Sequence, residues 1–285
     1  MADGQRPLRP GHQPSAISHQ PSAISPHSLP MPDILYLGDT SLATAAAYLA
    51  GVMHWSGWTY DYVPSDEAAS DSLFDQPYRA YVLSDYMASQ LSAALQRRLV
   101  EHVAQGAGLL MIGGWESYHG LGGDWDGTPV AEILPVEIAN RDDRMNCDHP
   151  AFVRAEYHLH PTTRGLPWDE RPPLIGGYNR FVPRDRAETL LHILRYSVSF
   201  NPATPSAEPV LVEVGEDPLL VIGSHGQGRV AALATDVAPH WVGPLVDWGP
   251  ERVKAHGPGA SEVEVGNLYA QFFRQLVGWT SGLIQ

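Results

Sequence analysis

Between Gly108 and Pro135 the chain reads GLLMIGGWESYHGLGGDWDGTPVAEILP, and this stretch narrows the possible folds more than any other. Leu109-Leu110-Met111-Ile112 is an apolar run of the length of one buried strand. The pair Gly113-Gly114 then lets the backbone turn where a side chain would clash. A loop bearing Trp115, Glu116, Ser117, Tyr118 and His119 follows, broken by Gly120, Gly122, Gly123 and Gly127. It ends at Thr128-Pro129, a hydroxyl N-cap with proline at the first helical position. Strand, glycine-rich loop and helix start in that order describe an open α/β sheet, which builds its sites at the carboxyl ends of its strands.

The flanking pattern agrees. Asp33–Asp39 reads as a buried strand ending in Gly-Asp, followed by a helix over 41–55 with Thr40 as its N-cap. Strands are expected at Tyr60–Val63 and Arg79–Leu83, the latter running into Ser84-Asp85. Leu91, Leu95, Leu99 and Val103 recur every four residues and predict a helix over 89–105, stopped at Gly106. Strand alternating with helix in this way predicts a mostly parallel sheet between two helical layers. Residues 137–186 are irregular and rich in proline, histidine and arginine, and read as an insertion over the sheet's edge. Further strands are expected at Glu188–Ile193 and Pro209–Val214. Pro218–Ser224 and Arg229–Thr235 form a late antiparallel hairpin around Gly226-Gln227-Gly228. The segment after Asp236, through Trp248 and Pro258, reads as loop, and a helix over 267–279 closes the domain.

Residues 1–30 are different material. HQPSAIS stands twice in tandem there, without apolar periodicity, and such a segment is expected to be a disordered tail. The remainder, 31–285, is expected to form one domain carrying the insertion. A formal charge of −14 argues against nucleic acid and against an anionic membrane surface. No apolar run approaches membrane-spanning length. One cysteine, Cys147, excludes an intrachain disulfide framework and fits a reducing compartment, so a cytoplasmic location is expected.

The segments LLMIGGWESYHGLGGDWDGTPVAEILPV, PLLVIGSHGQGRVAALATDVAPHW and NLYAQFFRQLVGWTSG together resemble the glutamine-amidotransferase-like family, a branch of the class I glutamine amidotransferase-like superfamily. The resemblance spans residues 33–280 in order. It implies a flavodoxin-like three-layer α/β sandwich, and class I relatives act on glutamine through a Cys-His-Glu triad. This chain departs from that pattern at the chemistry. It has no Gly-x-Cys-x-Gly elbow; Cys147 lies in Met145-Asn146-Cys147-Asp148-His149-Pro150, and the His-Pro-Glu motif is missing. Glutaminase activity by the usual triad is therefore not expected.

The candidate site is the carboxyl edge of the sheet. Gly113, Gly114, Trp115, Glu116, Ser117, Tyr118 and His119 are read as a cradle for a small polar metabolite, with the aromatics as walls. Asp39 points at the same edge, either toward a ligand or as a helix start. Asn179 and Arg180, in Gly176-Gly177-Tyr178-Asn179-Arg180, offer amide and guanidinium donors from a lid or a tight turn. Asp236 and His240 stand where the superfamily keeps its catalytic histidine and offer acid/base chemistry, with Ser117 as a nucleophile in place of cysteine. Three functions follow: a metabolite-binding module without glutaminase activity, a hydrolase of altered chemistry, or an interaction module that oligomerises through the 113–127 loop. Cys147, Asp148, His149, His158 and His160 match no closed zinc site, and neither a metal nor a cofactor is expected.

Overall fold

The computed structural model describes residue 1, residues 31–201, residue 203 and residues 208–284. The expected disordered tail falls on 1–30, of which 2–30 lie outside the described residues. Eight strands form the main sheet: β1 Ile34–Gly38, β2 Tyr60–Val63, β3 Ala80–Ser84, β4 Gly108–Ile112, β5 Ala151–Ala155, β6 Glu188–Ser199, β7 Val210–His225 and β8 Gly228–Leu233. Their spatial order is β2-β1-β3-β4-β8-β7-β6-β5. The pairs β2/β1, β1/β3, β3/β4 and β4/β8 are parallel. The pairs β8/β7, β7/β6 and β6/β5 are antiparallel. This is the flavodoxin-like α/β sandwich, with an antiparallel wing in place of a lone hairpin.

Strands covered on both faces must be apolar throughout, and β1, β3 and β4 are buried at every position. Around them run α1 Ala46–Trp55, α2 Ala93–Ala104, α3 Pro129–Ile133, α4 Pro239–Val242 and α5 Asn267–Thr280. The chain leaves β1 for β2 on one side and passes from β3 to β4 on the other. Right-handed crossovers therefore put α1 and α2 on opposite faces. Accordingly α1 packs with α5, and α2 with α3. The N-caps at Ser92 and Thr128 each accept a backbone N–H, from Leu95 and Ala131.

Several expectations are corrected. The first helix starts at Ala46, not 41; Thr40 has positive φ and donates its N–H to Ser65, so it does not cap. The second begins at Ala93, after a short 3₁₀ turn at Ala88–Gln90. Pro209–Val214 and Pro218–Ser224 belong to one long strand, β7. The insertion contributes β5 to the main sheet, and its Arg144–Asn146 pairs with Gly177–Asn179. The expected loop after Asp236 holds α4, a 3₁₀ turn at Gly243–Asp247, and the strand Arg252–Ala255 paired to Val263–Gly266. Short elements without a buried apolar run or a capping signal beside them give the sequence nothing to mark them.

Candidate functional site

Three strands of the parallel half end alike. A small residue is followed by aspartate: Gly38-Asp39 after β1, Ser84-Asp85 after β3, Thr235-Asp236 beyond β8. Register aligns these ends, with Gly38 beside Ser84, Ser84 beside Ile112, and Ile112 beside Leu233. The chain turns between β1 and β3, where strand order reverses, and that crevice is where open α/β sheets hold ligands. Asp39 and Asp85 stand on its two lips. Both have positive φ, 54° and 46°, a conformation that costs non-glycine residues on the order of 1 kcal/mol each. The Asp39 N–H donates to the Ser84 carbonyl at 2.8 Å, which fixes one lip to the other.

Between β3 and β8 stands β4, whose end must carry no side chain. A Cβ on Gly114 would lie 2.0 Å from Asp85 Oδ1, and one on Gly113 1.9 Å from the Ala234 carbonyl oxygen. Gly114 thus leaves the space that the Asp85 carboxylate fills, while Gly113 lets β4 approach the chain beyond β8. One oxygen from each of Asp39, Asp85 and Asp236 lies within 4.8 Å of the others. Asp39 and Asp236 are buried, and Asp85 is partly exposed.

The partners of this cluster are few. Tyr36 donates its hydroxyl to Asp39 Oδ2. Asp85 Oδ1 accepts the Glu116 N–H at 2.8 Å, and its backbone N–H donates to Ser117 Oγ at 2.9 Å. Asp236 Oδ1 accepts the N–H groups of Val237 and Ala238, closing the turn into α4. Asp39 Oδ1, Asp236 Oδ2 and the buried Ser84 hydroxyl have no hydrogen-bond partner. Burial raises all three carboxyls: Asp39 to about 8, with Asp85 repelling it, Asp85 to about 7, and Asp236 well above the usual range, with Asp39 and Asp85 adding to it. At 4.8 Å and an effective dielectric near 20, each ionised pair would repel by about 3 kcal/mol, so three bare charges cannot coexist here.

The residues expected at the edge separate into several groups. Gly114, Glu116, Asp39 and Asp236 converge on the cluster, whereas Gly113 packs on the Ala234 carbonyl and Asn179. Ser117 is buried and serves as acceptor for Asp85. Tyr118 is buried and pins the loop to the sheet, donating to the carbonyls of Met111 at 3.1 Å and Leu233 at 3.0 Å. His119 bonds Asp126 at 2.6 Å. Asn179 is buried: its Oδ1 accepts the Gly114 N–H and its Nδ2 donates to Asp143, both at 2.8 Å. Arg180 pairs with Asp217 at 3.2 Å. Trp115 remains 45% exposed beneath the Arg144 guanidinium, 4.6 Å from its ring. His240 is exposed on α4, its Nε2 3.9 Å from Asp236 Oδ2, close but not hydrogen bonded. Asp85 is the residue the sequence reading missed, although the repeated strand-small-Asp ending was there to be seen.

Cys147 lies elsewhere, lining a cavity of about 390 Å³ with Met145, Asn146, Tyr178 and Arg195. Burial and the neighbouring Asp148 push its thiol up to about 11, leaving little thiolate at neutral pH. Labelling of the native chain by iodoacetamide at neutral pH is expected to run at least about tenfold slower than in urea. Equal rates would contradict the burial of this thiol.

The sheet order and a site at strand ends define an α/β protein of the flavodoxin-like class. The family model described as "Putative glutamine amidotransferase" matches residues 37–252, and the chain belongs to that family. Two solved structures share the fold. The cytoplasmic protein STM3548 of Salmonella typhimurium is 23% identical with a TM-score of 0.64, over 87% of this chain and 98% of that one. The cytoplasmic protein STM1381 of Salmonella typhimurium LT2 is 22% identical with a TM-score of 0.64, over the same shares. No curated protein matches the chain. Among the described residues no helix is long and apolar enough to cross a membrane.

Proposed function

We propose that this chain is a cytoplasmic, glutamine-amidotransferase-like binding protein. It takes a small polar metabolite at the carboxyl edge of the sheet and does not hydrolyse glutamine through a Cys-His-Glu triad. One observation carries the reading: buried acceptors at the strand ends, Asp39 Oδ1 and Asp236 Oδ2, have no donor of their own. An unpaired buried polar group is costly, so a ligand supplying hydroxyl, amide or amine donors gains from meeting them. The partly exposed Asp85 and the exposed His240 mark the side from which such a ligand enters. The thiol, protonated and lining a cavity that none of the three aspartates lines, supports the absence of glutaminase chemistry. The location rests on the two Salmonella proteins.

A second reading rests on the 3.9 Å approach of His240 to Asp236, which suits a hydrolase that activates water. Thermal shift on the full chain with amides, amino acids and sugars tests the first, with Trp115→Ala and His240→Ala alongside. A ligand that binds the folded state raises Tm as its concentration passes Kd. A shift in wild type that both exposed-residue variants weaken supports binding at this edge. Turnover of the bound compound that His240→Ala abolishes moves the assignment to the hydrolase. A flat response to every compound sinks the metabolite reading and leaves assembly through the Trp115 loop, which sedimentation would show.

A further inference from the structure

We propose that Asp39, Asp85 and Asp236 form a binding site for one hard divalent cation, with the Ser84 hydroxyl as a further oxygen ligand. The sequence reading expected no metal, because it weighed the cysteine and histidines of the insertion. Those side chains are engaged separately: His149 with Asp148 at 2.8 Å, His160 with Thr162 at 2.9 Å, His158 near Asp169 at 3.6 Å. Among the described residues, the three aspartates are the one set of three such groups that comes together.

The geometry suits an ion. Calcium binds oxygen at about 2.3–2.6 Å, so ligand atoms on opposite sides of it stand about 4.6–5.2 Å apart. Magnesium, at about 2.0–2.1 Å, needs about 4.2 Å at most. Oxygens that all lie within 4.8 Å of one another stay inside the span that calcium ligands reach across one ion. All the donors are hard oxygens, which select Mg²⁺, Ca²⁺ or Mn²⁺ over zinc or copper. Magnesium gives up its water reluctantly, and two of the three carboxylates are shut from solvent, which ranks it behind the others.

Acidic residues gather on many surfaces without an ion, but here a second observation points to a ligand. Ser84, whose carbonyl accepts the Asp39 N–H, is fully buried, and its hydroxyl has no hydrogen-bond partner. Asp39 Oδ1 and Asp236 Oδ2 are equally unpartnered. Buried polar atoms are nearly always paired, and one bound cation would give three unpaired oxygens in one place a common partner. The fold also holds the site open: Gly114 leaves the volume that Asp85 occupies, and two aspartates accept left-handed backbone to face one another.

The ion would occupy the same Asp39 Oδ1 and Asp236 Oδ2 that the metabolite reading assigns to ligand donors, and the two are told apart because this site is read with metal ions alone and that one with organic compounds. The test uses the full chain stripped with EDTA and dialysed, then titrated with CaCl₂, MnCl₂ or MgCl₂. The readouts are Tm, and terbium luminescence sensitised through protein tyrosine, since Tyr36 donates to Asp39. One equivalent of terbium bound, displaced by calcium, and a rise in Tm of about 5 °C at roughly a hundredfold over Kd are expected. Asp236→Asn and Asp85→Asn abolish both signals, while Asp148→Asn, an exposed control, keeps them. Absence of terbium emission and of any Tm response in wild type overturns the site, as does a response that survives Asp236→Asn and Asp85→Asn together. Because terbium is read on wild type, a variant that fails to fold leaves the test intact.

Discussion

Gly113→Ala is expected to destabilise the chain by about 3 kcal/mol or more, while Gly114→Ala folds and loses only the site. The two glycines are adjacent and chemically equal, so the difference comes from what each new methyl meets. At Gly113 it would sit 1.9 Å from the Ala234 carbonyl oxygen and 2.5 Å from its carbon. Both are backbone atoms, held while the Gly113 N–H donates to the carbonyls of Leu233 at 2.8 Å and Thr235 at 3.1 Å. Relief would require parting β4 from the chain beyond β8, at the centre of the sheet. At Gly114 the methyl meets the Asp85 carboxylate, 2.0 Å away, which is the end of a side chain that can turn aside. Urea denaturation of both variants checks the pair. Gly113→Ala within about 1 kcal/mol of wild type would show that the strand ends are looser than these contacts imply.

Much of the fold was legible because the parallel half obeys local rules. β2 and β4 carry the boundaries expected of them, and Thr128 caps α3 as its Thr-Pro pair announces. The antiparallel wing was harder to read. β7 runs unbroken through Pro218, and proline in a strand pattern argues for an interruption unless pairing from the neighbour tells otherwise. At the site, Asp39 and Asp236 were legible as residues but not as partners. What joins them is register across four strands, a long-range property that no window of sequence contains. Tyr118, read as a pocket wall, is buried instead, because its hydroxyl finds two strand carbonyls. Asn179, read as a donor toward a ligand, spends both ends of its amide on Gly114 and Asp143. In each case composition named a polar or aromatic group correctly and only the packing says which way it faces.

With divalent cations removed, Asp236→Asn is expected to make the chain more stable than wild type at pH 8, by on the order of 2 kcal/mol. Asparagine keeps the Oδ1 that accepts from Val237 and Ala238, so the turn into α4 survives. What it removes is a carboxyl that burial and two neighbouring aspartates hold well above its ordinary range. The sign follows from proton counting. An unfolded aspartate ionises near 3.9, whereas folded Asp39 and Asp85 do so at about 8 and 7, and Asp236 is likewise raised. Between about pH 4 and pH 8 the folded chain therefore holds protons that the unfolded chain has released. The cluster's contribution is fully present below about pH 4 and is lost as pH rises through that window. The advantage of Asp236→Asn should accordingly shrink toward pH 4, which separates it from any general gain in packing. Saturating calcium should reverse the order at pH 8, because wild type alone then has three carboxylates to hold the ion. Urea midpoints at both pH values, with EDTA and with calcium, give the comparison. A variant weaker than wild type in EDTA at every pH would mean that Asp236 is already paid for by contacts within the fold, and that the crowding of charge at this edge does not govern its stability.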